Sequence, residues 1–430
     1  MSLLVSGQTR YAQARIELMA PTGICIVARP MRNRASSVLL LVACVSACSQ
    51  LDGRNRNRQG NRHFRDGLFP DAVAQYEKSL TEVDDPVIHY NAGLAYQKIF
   101  KAGYEKPILL AFQKEEVCSL IPNTKPVEAS ICVKENDRHY NGNECDDPKG
   151  PPCPALSTCT KTTFCSLTAK QIADQGGAHM KVWLAVQPSD EEIKKQVKEV
   201  EAETQKLIEK AEKLAEQKDP PKQEIAGIED DIKDLGKKID ELHTKERVRG
   251  LMSQMWIDSD QVPKALEYWE GLLKDKPNDP EIMGVLAGIN LKGGDWRKAI
   301  DWYLKVAAAA PEVDAKVAAY QFIGNVAWSK LNSKTLNSAD WVELADKGIG
   351  ALQKAAALKP ESPRPIGLQA SIYNFRALVN GASWAAGLDR ATAQDLQKET
   401  RVLSEKAKKA AEGASAPSTP SPPAPAKTGG

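Results

Sequence analysis

Residues 265–277 read ALEYWEGLLKDKP and residues 299–311 read AIDWYLKVAAAAP, and these two stretches decide the fold. Each has a small residue, an aromatic residue four positions later and a proline at its end, and the pattern recurs after 34 residues. The positions are Ala265, Trp269 and Pro277 in the first copy and Ala299, Tyr303 and Pro311 in the second. Residues four apart lie on one face of a helix, and proline cannot continue a helix. A fixed period of this length predicts a solenoid of stacked helical pairs.

The repeating pattern resembles the tetratricopeptide repeat (TPR) family, in which the small residue lets two helices approach closely. The resemblance is strongest within 260–312, where Leu286, Ala287, Gly294 and Trp296 also match the repeat. It extends more loosely to two repeats at 52–117 and to further helical pairs up to residue 411. The resemblance implies an all-α TPR helical solenoid. The repeat region also lacks segments in which apolar and polar residues alternate, so we expect almost no sheet there.

Composition and charge exclude several classes of protein. The 430 residues carry 58 Lys and Arg against 56 Asp and Glu, a net charge of +2, so no nucleic acid partner is expected. A mean hydropathy of −0.42 excludes a polytopic membrane protein. No P-loop, HExxH, CxxC or GxSxG motif occurs and the five histidines are scattered, so we expect no enzyme, no cofactor and no metal site. Seven of the eight tryptophans lie in 256–384 and are interpreted as core filling.

A targeting signal follows Met31, which we expect to be the start of translation. Two arginines precede an apolar run, Val38–Val45, that is too short to span a bilayer. Residues 45–48, VSAC, then resemble the lipobox of bacterial lipoproteins. The frame that ends at Cys44 fits the same pattern, and an ordinary cleaved signal is the third interpretation.

The lipoprotein resemblance implies a lipid anchor at Cys48. In that family the cysteine is diacylated on its sulfur and becomes the first residue of the mature chain. Two or three acyl chains hold a protein stably on a membrane. Ser49, in place of an aspartate, implies the outer membrane under the sorting rule of enteric lipoproteins. The resemblance therefore implies a periplasm-facing outer-membrane lipoprotein.

A segment rich in Pro, Asn, Asp and Thr separates the repeats, and this composition predicts a loop. Six cysteines in an exported chain predict three disulfides, whose pairing stays open among fifteen arrangements. Zinc is the alternative, but the closest cysteines have five residues between them, a wider spacing than the close pairs typical of structural zinc sites. The disulfide candidates are Cys118, Cys132, Cys145, Cys153, Cys159 and Cys165.

Heptad patterns predict a hairpin of two long helices after this insert. From Ile193 to Leu214, apolar or small residues recur in alternating steps of four and three, which is the spacing of a coiled-coil seam. The pattern stops at Pro220-Pro221 and resumes from Ile225 to Leu242. We expect an antiparallel coiled coil. It serves as a spacer, a docking arm or a self-association element, or it is a solvent-exposed hairpin that only connects two lobes.

Six segments follow from these patterns. They are an upstream extension with the lipoprotein signal (1–47), the lipid anchor with an N-terminal TPR pair (48–117), the Cys-rich insert (118–189), the coiled-coil hairpin (190–248), a C-terminal TPR array (249–412) and a Pro/Ala/Ser tail (413–430). The tail has too few large apolar residues to bury a core, so we expect it to be disordered.

TPR arrays bind partner proteins in a groove lined by the first helix of each repeat. Alignment to the repeat transfers these positions to this chain, where they are equally compatible with solvated helix faces. The candidate groove residues are Asn61, Phe64, Arg65, Tyr90, Leu94, Gln97, Gln254, Ile257, Leu291 and Lys292.

The combined prediction is a lipid-anchored, periplasm-facing TPR scaffold that mediates protein–protein interactions in a bacterial envelope complex. The anchor and repeat content are similar to those of the outer-membrane TPR lipoproteins of the myxobacterial gliding-motility machinery, which implies a role in motility. A scaffold for pilus, secretion or outer-membrane assembly is one alternative, and a cell-wall glycan-acting enzyme or binder is another.

Overall fold

The computed structural model describes residues 34–103, 108–110, 118, 121, 124–134, 145, 153, 157–217 and 219–414. Within these residues the chain forms fourteen helices and three strands. The helices are Arg34–Arg65 (α1), Phe69–Leu80 (α2), Pro86–Ile99 (α3), Ala169–Ala185 (α4), Asp190–Ala215 (α5), Lys222–Leu242 (α6), Thr244–Asp258 (α7), Val262–Asp275 (α8), Pro280–Lys292 (α9), Trp296–Ala309 (α10), Val313–Asn332 (α11), Ser338–Leu358 (α12), Pro363–Val379 (α13) and Trp384–Ala414 (α14). The strands are Ile108–Leu110 (β1), Lys125–Lys134 (β2) and Ser157–Leu167 (β3).

Paired helices form both of the compact units into which the chain divides after Asp260. In the first unit α1 packs on α2 and α3 on α4, and in the second α9 packs on α10, α11 on α12 and α13 on α14. Successive pairs also pack on each other, through α2 and α3, α10 and α11, and α12 and α13. Stacking of each pair on its neighbour is the defining feature of a solenoid, and it confirms the predicted all-α TPR fold.

Helices α3 and α9 start in the same way, with an aspartate followed by a proline. The Asp85 side chain accepts a hydrogen bond from the backbone N–H of Val87 (2.8 Å), and Pro86 opens the helix. Asp279 caps α9 in the same manner, ahead of Pro280. A capping carboxylate satisfies N–H groups that the first turn leaves without a partner, and proline fits there because its missing N–H is not needed. These helix starts are therefore encoded by local sequence.

Two tyrosines fill the core of the first unit. Tyr76 of α2 and Tyr96 of α3 are among the largest fully buried side chains of the described residues. Helix α1 passes over Tyr76 at Gly60, where a Cβ atom would lie 2.5 Å from the tyrosine ring. Ile88 and Ile172 extend the same apolar cluster into α3 and α4. The apolar faces of four helices thus converge on one core.

The insert lies inside the second helical pair, which corrects the expected repeat pair at 52–117. Helix α3 ends at Ile99, and the helix that packs against it, α4, begins only at Ala169. Helix α4 falls within 118–189, the segment assigned to the Cys-rich insert. Because the interruption separates the two helices of one repeat, a fixed sequence period does not reveal that they belong together.

Two long strands occupy part of the insert, where the composition predicted a loop. Strands β2 and β3 pair antiparallel, from Lys125 opposite Ser166 to Lys134 opposite Ser157. Strand β1 pairs with the other edge of β3. The segments 125–134 and 157–167 are rich in Val, Ile and Thr, whose branched side chains favour extended backbone. The loop prediction is therefore corrected for these two segments.

The six candidate cysteines form three disulfide pairs. They are Cys118–Cys165, Cys132–Cys153 and Cys145–Cys159, with Cα atoms 5.2, 5.4 and 5.9 Å apart. Cys118 and Cys165 are buried in the apolar cluster of the first unit, so this pair ties the insert to the helical core. In the other two pairs, sulfur atoms of Cys132, Cys145 and Cys153 lie within 4.8 Å of one another.

Helices α5 and α6 form the predicted antiparallel hairpin. They pack along each other, with Val200 and Ile228 buried in the seam. Near the turn, Lys210 Nζ lies 2.9 Å from Glu224 Oε1 on the other arm. At the base, the Asp190 carboxylate lies 2.7 Å from the Nζ atom of Lys245 in α7. The apolar seam and these ion pairs hold the two arms together and fix them to α7.

Tryptophans organise the core of the second unit. Trp296 of α10 and Trp341 of α12 are buried with Leu344 and Leu352 in one cluster. The indole N–H of Trp341 donates to the backbone carbonyl of Phe375 in α13 at 2.9 Å. This bond fixes α13 against α12 and positions the face that α13 presents to solvent.

Candidate functional site

An open groove of about 360 Å³ lies on the second unit, between α11 and α13. These are the first helices of the last two pairs, and Arg390 of α14 closes one side. First helices are the elements that line the binding surface of TPR solenoids. The groove is lined by Trp328, Ser371, Asn374, Phe375, Leu378 and Arg390.

One face of α13 supplies most of the groove. Ser371, Asn374, Phe375 and Leu378 follow one another in steps of three, one and three, which places them along one side of a helix. The side chain of Ile372 points instead to the core, where it is fully buried. The helix therefore packs one apolar stripe inward and offers a second, mixed stripe to solvent.

Two large apolar side chains of the groove remain exposed. Trp328 of α11 is 41 % exposed and Leu378 of α13 is 60 % exposed. The Phe375 ring, which also lines the groove, meets the buried ring of Trp341 edge-on, with centroids 6.4 Å apart. The groove thus has two exposed apolar side chains, Trp328 and Leu378, and a third aromatic residue, Phe375, that packs against the buried Trp341.

The charge of the groove comes from Arg390. Its guanidinium makes one hydrogen bond, to the backbone carbonyl of Gly381 at 3.4 Å, and forms no ion pair within the described ranges. Nearby Arg376 is different, because it pairs with Asp389 (2.6 Å) and with Asp346. The hydrogen bond to Asp389 and the pairing with Asp346 raise the pKa of Arg376 above its usual value. Arg390 is therefore the cation that can meet an acidic ligand.

Two of the three predicted groove residues of α1 make contacts inside the first unit. The Asn61 side chain accepts hydrogen bonds from the hydroxyl of Tyr76 (2.8 Å) and from Asn91 (3.1 Å). Phe64 packs on the core of the first unit, with its ring 5.2 Å from that of Phe69. Arg65 is exposed. Two of these three side chains thus contribute to packing.

The remaining candidates are divided between the two units. In the first unit, the Tyr90 ring packs against Trp183 with centroids 4.8 Å apart, and Gln254 bonds to Asp258. Leu94, Gln97 and Ile257 are half-buried. In the second unit, Leu291 packs on the core and Lys292 is exposed. The role of these residues in binding a partner protein stays a prediction.

Trp328 was missed because the tryptophans were interpreted as core filling. That interpretation is correct for Trp256, Trp269, Trp296 and Trp341, all of which are buried. It is wrong for Trp328 and for Trp384, which is 83 % exposed. Trp328 follows the buried Ala327 at the flank of the helix's apolar stripe, and helical period does not decide which way a flanking residue points.

The predicted lipidation site falls in a part of α1 whose side chains lie outside the described residues. Cys44 and Cys48 are both within this helix, and Met31 precedes it, also outside the described residues. Lipidation at either cysteine therefore stays a prediction. Of the described helices, none is both long enough and apolar enough to cross a membrane.

Comparison with known proteins finds the repeat in the segment that the sequence singled out. Residues 257–314 match the family model described as tetratricopeptide repeat. A solved structure of the P58(IPK) TPR domain matches over 85 % of this chain and 99 % of that chain, at 14 % identity and a TM-score of 0.17. Yeast Tom70 matches over 83 % of this chain and 84 % of that chain, at 12 % identity and a TM-score of 0.14. No curated protein matches. The family match therefore shows similarity to the tetratricopeptide repeat within 257–314, and the stacked helical pairs continue beyond this segment.

Proposed function

We propose that the protein is a scaffold that binds a segment of a partner protein in the groove between α11 and α13. TPR folds are generally non-catalytic and offer concave surfaces to partners. The observation that carries the proposal is the exposure of Trp328 and Leu378 on the two walls of this groove. Exposed apolar residues grouped with polar ones mark surfaces that a partner covers.

The lining indicates the chemistry of the bound segment. An aliphatic or aromatic side chain of the partner would fill the space between Trp328 and Leu378. A carboxylate of the same segment would meet Arg390, which forms no ion pair within the described residues. Asn374 and Ser371 offer hydrogen bonds to the partner's backbone. The expected ligand is therefore a segment with an apolar anchor next to an acidic residue.

Site-specific photo-crosslinking in cells tests the groove. A photoreactive phenylalanine analogue is placed at Leu378, and in a matched control at Val402, which is 51 % exposed in α14 but does not line the groove. We expect a discrete adduct from position 378 that is absent from position 402. Equal adducts from both positions, or none from either, would contradict the proposal.

The crosslinked peptide then provides a direct binding assay. Its affinity for the full chain is measured by fluorescence anisotropy for wild type, Trp328→Ala and Arg390→Glu. Central aromatic and arginine residues of interfaces typically contribute about 2 kcal/mol or more, so each variant should weaken binding by about 30-fold. A peptide with its acidic residue changed to lysine should bind Arg390→Glu better than wild type.

The proposed location is the periplasmic face of the outer membrane, with lipidation at Cys48. The apolar run before residues 45–48 and the three cysteine pairs, which suit an oxidising compartment, support this proposal. Labelling with palmitate should be lost in Cys48→Ser and retained in the matched variant Cys44→Ser. The reverse result would move the anchor to Cys44, and labelling retained in both variants would contradict the anchor.

The proposed process is assembly of an envelope complex, with gliding motility as the specific role. The support for motility is similarity in architecture, because the chain combines an anchor signal with repeats. Deletion of the gene in a gliding source organism should abolish single-cell gliding. Normal gliding of the deletion strain would leave pilus, secretion or outer-membrane assembly as the processes to test.

A further inference from the structure

Two histidines that are far apart in sequence meet in the first unit. His89 of α3 and His179 of α4 face each other with their Nδ1 atoms 2.8 Å apart. Their side chains are 14 % and 11 % exposed, so little water competes for this contact. The distance is normal for an N–H···N hydrogen bond. Two nitrogen ligands of one tetrahedral zinc ion would lie roughly 3.3 Å apart, so the observed contact fits a hydrogen bond better than a shared zinc ion.

The other nitrogen of each ring faces a carboxylate. His89 Nε2 lies 2.9 Å from Asp84 Oδ1, and His179 Nε2 lies 3.0 Å from Glu77 Oε1. The Tyr96 hydroxyl donates to the same Glu77 oxygen at 2.6 Å. Burial and the adjacent Glu77 carboxylate raise the pKa of Tyr96 well above its usual value, so its hydroxyl keeps its proton. An ionised carboxylate only accepts hydrogen bonds, so both Nε2 atoms must be donors.

Counting protons then fixes the charge of the pair. With both Nε2 atoms protonated, two neutral rings would point bare Nδ1 lone pairs at each other. Two fully protonated rings would point two N–H groups at each other. Only one proton between the Nδ1 atoms satisfies the contact. We infer that His89 and His179 share a single proton and form a proton-dependent clasp between α3 and α4.

The clasp closes the repeat that the insert interrupts. Helices α3 and α4 are the two ends between which residues 100–168 are inserted, and α4 also packs on α7. The pair has an exposed carboxylate on one side, Asp84, and a buried one on the other, Glu77. His89 lies near the start of α3 and His179 in the second half of α4, so a change in the proton count of the clasp acts on the end of this helical pair that is remote from the insert.

The charged neighbours of the pair are few. Glu77 faces it from α2, Asp84 from the α2–α3 loop and Tyr96 from α3. Helix α7 approaches α4 through Met255 and Trp256, which do not titrate in this range. The positive charge of Arg65 in α1 lowers the pKa of Tyr76, against the larger effect of burial, which raises it. The two histidines pair with the carboxylates of Asp84 and Glu77, at 2.9 and 3.0 Å.

The sign of the pH dependence follows from the proton count. Histidine in an unfolded chain titrates around pH 6.5. Protons are counted here beyond the one that each neutral ring carries. Below that pH the opened pair holds two such protons and the clasp holds one, so the stability of the clasp falls as pH falls. Above that pH the opened pair holds none and the clasp holds one, so the stability of the clasp falls as pH rises. The clasp is therefore most stable near neutral pH and weakens in both directions.

Nuclear magnetic resonance of the wild-type full chain, labelled with ¹⁵N in its histidines, tests the shared proton. The chain has five histidines, and signals are assigned with His→Gln variants. We expect a ¹⁵N–¹⁵N coupling between the Nδ1 atoms of His89 and His179, transmitted through the proton that they share. His243, whose side chain is 51 % exposed, is the matched control and should show no such coupling. Absence of a coupling between His89 and His179, or a zinc-dependent shift of both Nδ1 signals that EDTA reverses, would overturn the inference.

Hydrogen exchange measures the mechanical consequence. After correction for intrinsic rates, protection of amides in 169–185 should peak near neutral pH and fall by up to about tenfold per pH unit on either side. His89→Gln should flatten this profile and His243→Gln should leave it unchanged. Peptides from 363–379 lie in the second unit, where the sequence has no histidine, and serve as the internal control. A profile of wild type that matches His89→Gln would overturn the clasp.

Discussion

Single residues set how closely the helices approach. Gly60 lies directly on the Tyr76 ring, and the Asp85 and Asp279 carboxylates start their helices by binding backbone N–H groups. Each effect amounts to one side chain, or its absence, and each can be changed by a single substitution. Predictions at this scale therefore use matched substitutions that differ in one interaction.

Gly60→Ala should destabilise the first unit. A Cβ atom there would lie 2.5 Å from the Tyr76 ring, and overpacking of this kind costs ~1–3 kcal/mol, which exceeds the ~1 kcal/mol that alanine gains in a helix. Gly236→Ala is the control, because a Cβ atom at Gly236 meets nothing within 4 Å and should stabilise α6. Thermal unfolding of the full chain measures both. Equal shifts in the two variants would contradict the packing argument.

Asp295 should make the start of α10 sensitive to acid. Its carboxylate accepts the backbone N–H of Lys298 at 3.1 Å, which lowers the pKa of Asp295 below its usual value. A lowered pKa means that the stabilisation is present above about pH 4 and is lost as pH falls through the folded-state value. Asp295→Ala should cost ~1 kcal/mol at neutral pH.

Asp295→Asn keeps a capping oxygen but cannot titrate, and it is therefore the control for the charge. Hydrogen-exchange protection of the first turn of α10 is compared at about pH 3 and at neutral pH. The asparagine variant should lose less protection on acidification than wild type. An equal loss in the two proteins would show that the cap is not the acid-sensitive group.

At the scale of elements, the hairpin buries its own apolar seam. Val200 and Ile228 are nearly inaccessible, and none of the large exposed apolar side chains falls within the described residues of 190–242. The seam that could serve self-association is therefore used between the two arms. Self-association through the hairpin stays a prediction, and any such contact would use charged surface.

Ile228→Asp should separate the arms of the hairpin. Burying a carboxylate in the seam is unfavourable without a partner, so we expect a loss of helical signal in circular dichroism and rapid proteolysis between residues 190 and 242. Gly227→Ala is the neighbouring control, because a Cβ atom there meets nothing within 4 Å. Resistance of Ile228→Asp equal to that of the control would mean that the arms are not held by this seam.

The three disulfides should contribute unequally. Cys118–Cys165 closes a loop of sequence separation 47 and joins the insert to the helical core, whereas Cys145–Cys159 closes one of 14. Loop entropy predicts a loss of ~4 kcal/mol for the first pair and ~3 kcal/mol for the second when both cysteines are changed to serine. Denaturant unfolding of the two double variants gives the comparison. Unchanged protease resistance of the insert after reduction would contradict all three pairs.

At the scale of the whole molecule, acidic and basic residues nearly cancel. With 58 Lys and Arg against 56 Asp and Glu, the chain offers little net attraction to a polyanion. Recognition is instead expected from local features such as the groove beside Trp328 and Arg390. The partner should therefore be selected by shape and by one or two charges.

Binding to DNA should be absent at physiological salt. Non-specific binding to a polyanion depends on many basic contacts, and each contact is weakened by salt. A gel-shift titration with duplex DNA at about 0.15 M salt should show no complex at concentrations where the crosslinked partner peptide binds fully. A stable DNA complex would show that a basic surface overrides the near-neutral total.

The sequence by itself determined the features that depend on neighbouring residues. The 34-residue period of Ala265 and Ala299, the heptads on either side of Pro220-Pro221 and the cysteine-rich insert are visible without a structure, because helical period and helix-breaking residues act over a few turns. The helical pairs of the second unit and the antiparallel hairpin follow directly from these patterns.

The tertiary structure alone decided the features that join distant residues. It pairs α3 with α4 across the insert, selects one of fifteen cysteine pairings, brings His89 to His179 and turns Trp328 outward. The sequence patterns do not predict these contacts, because the spacing of apolar residues along one segment does not specify which distant segments pack together. The groove and the clasp both arise from such contacts, and so the candidate sites of this protein are properties of its packing.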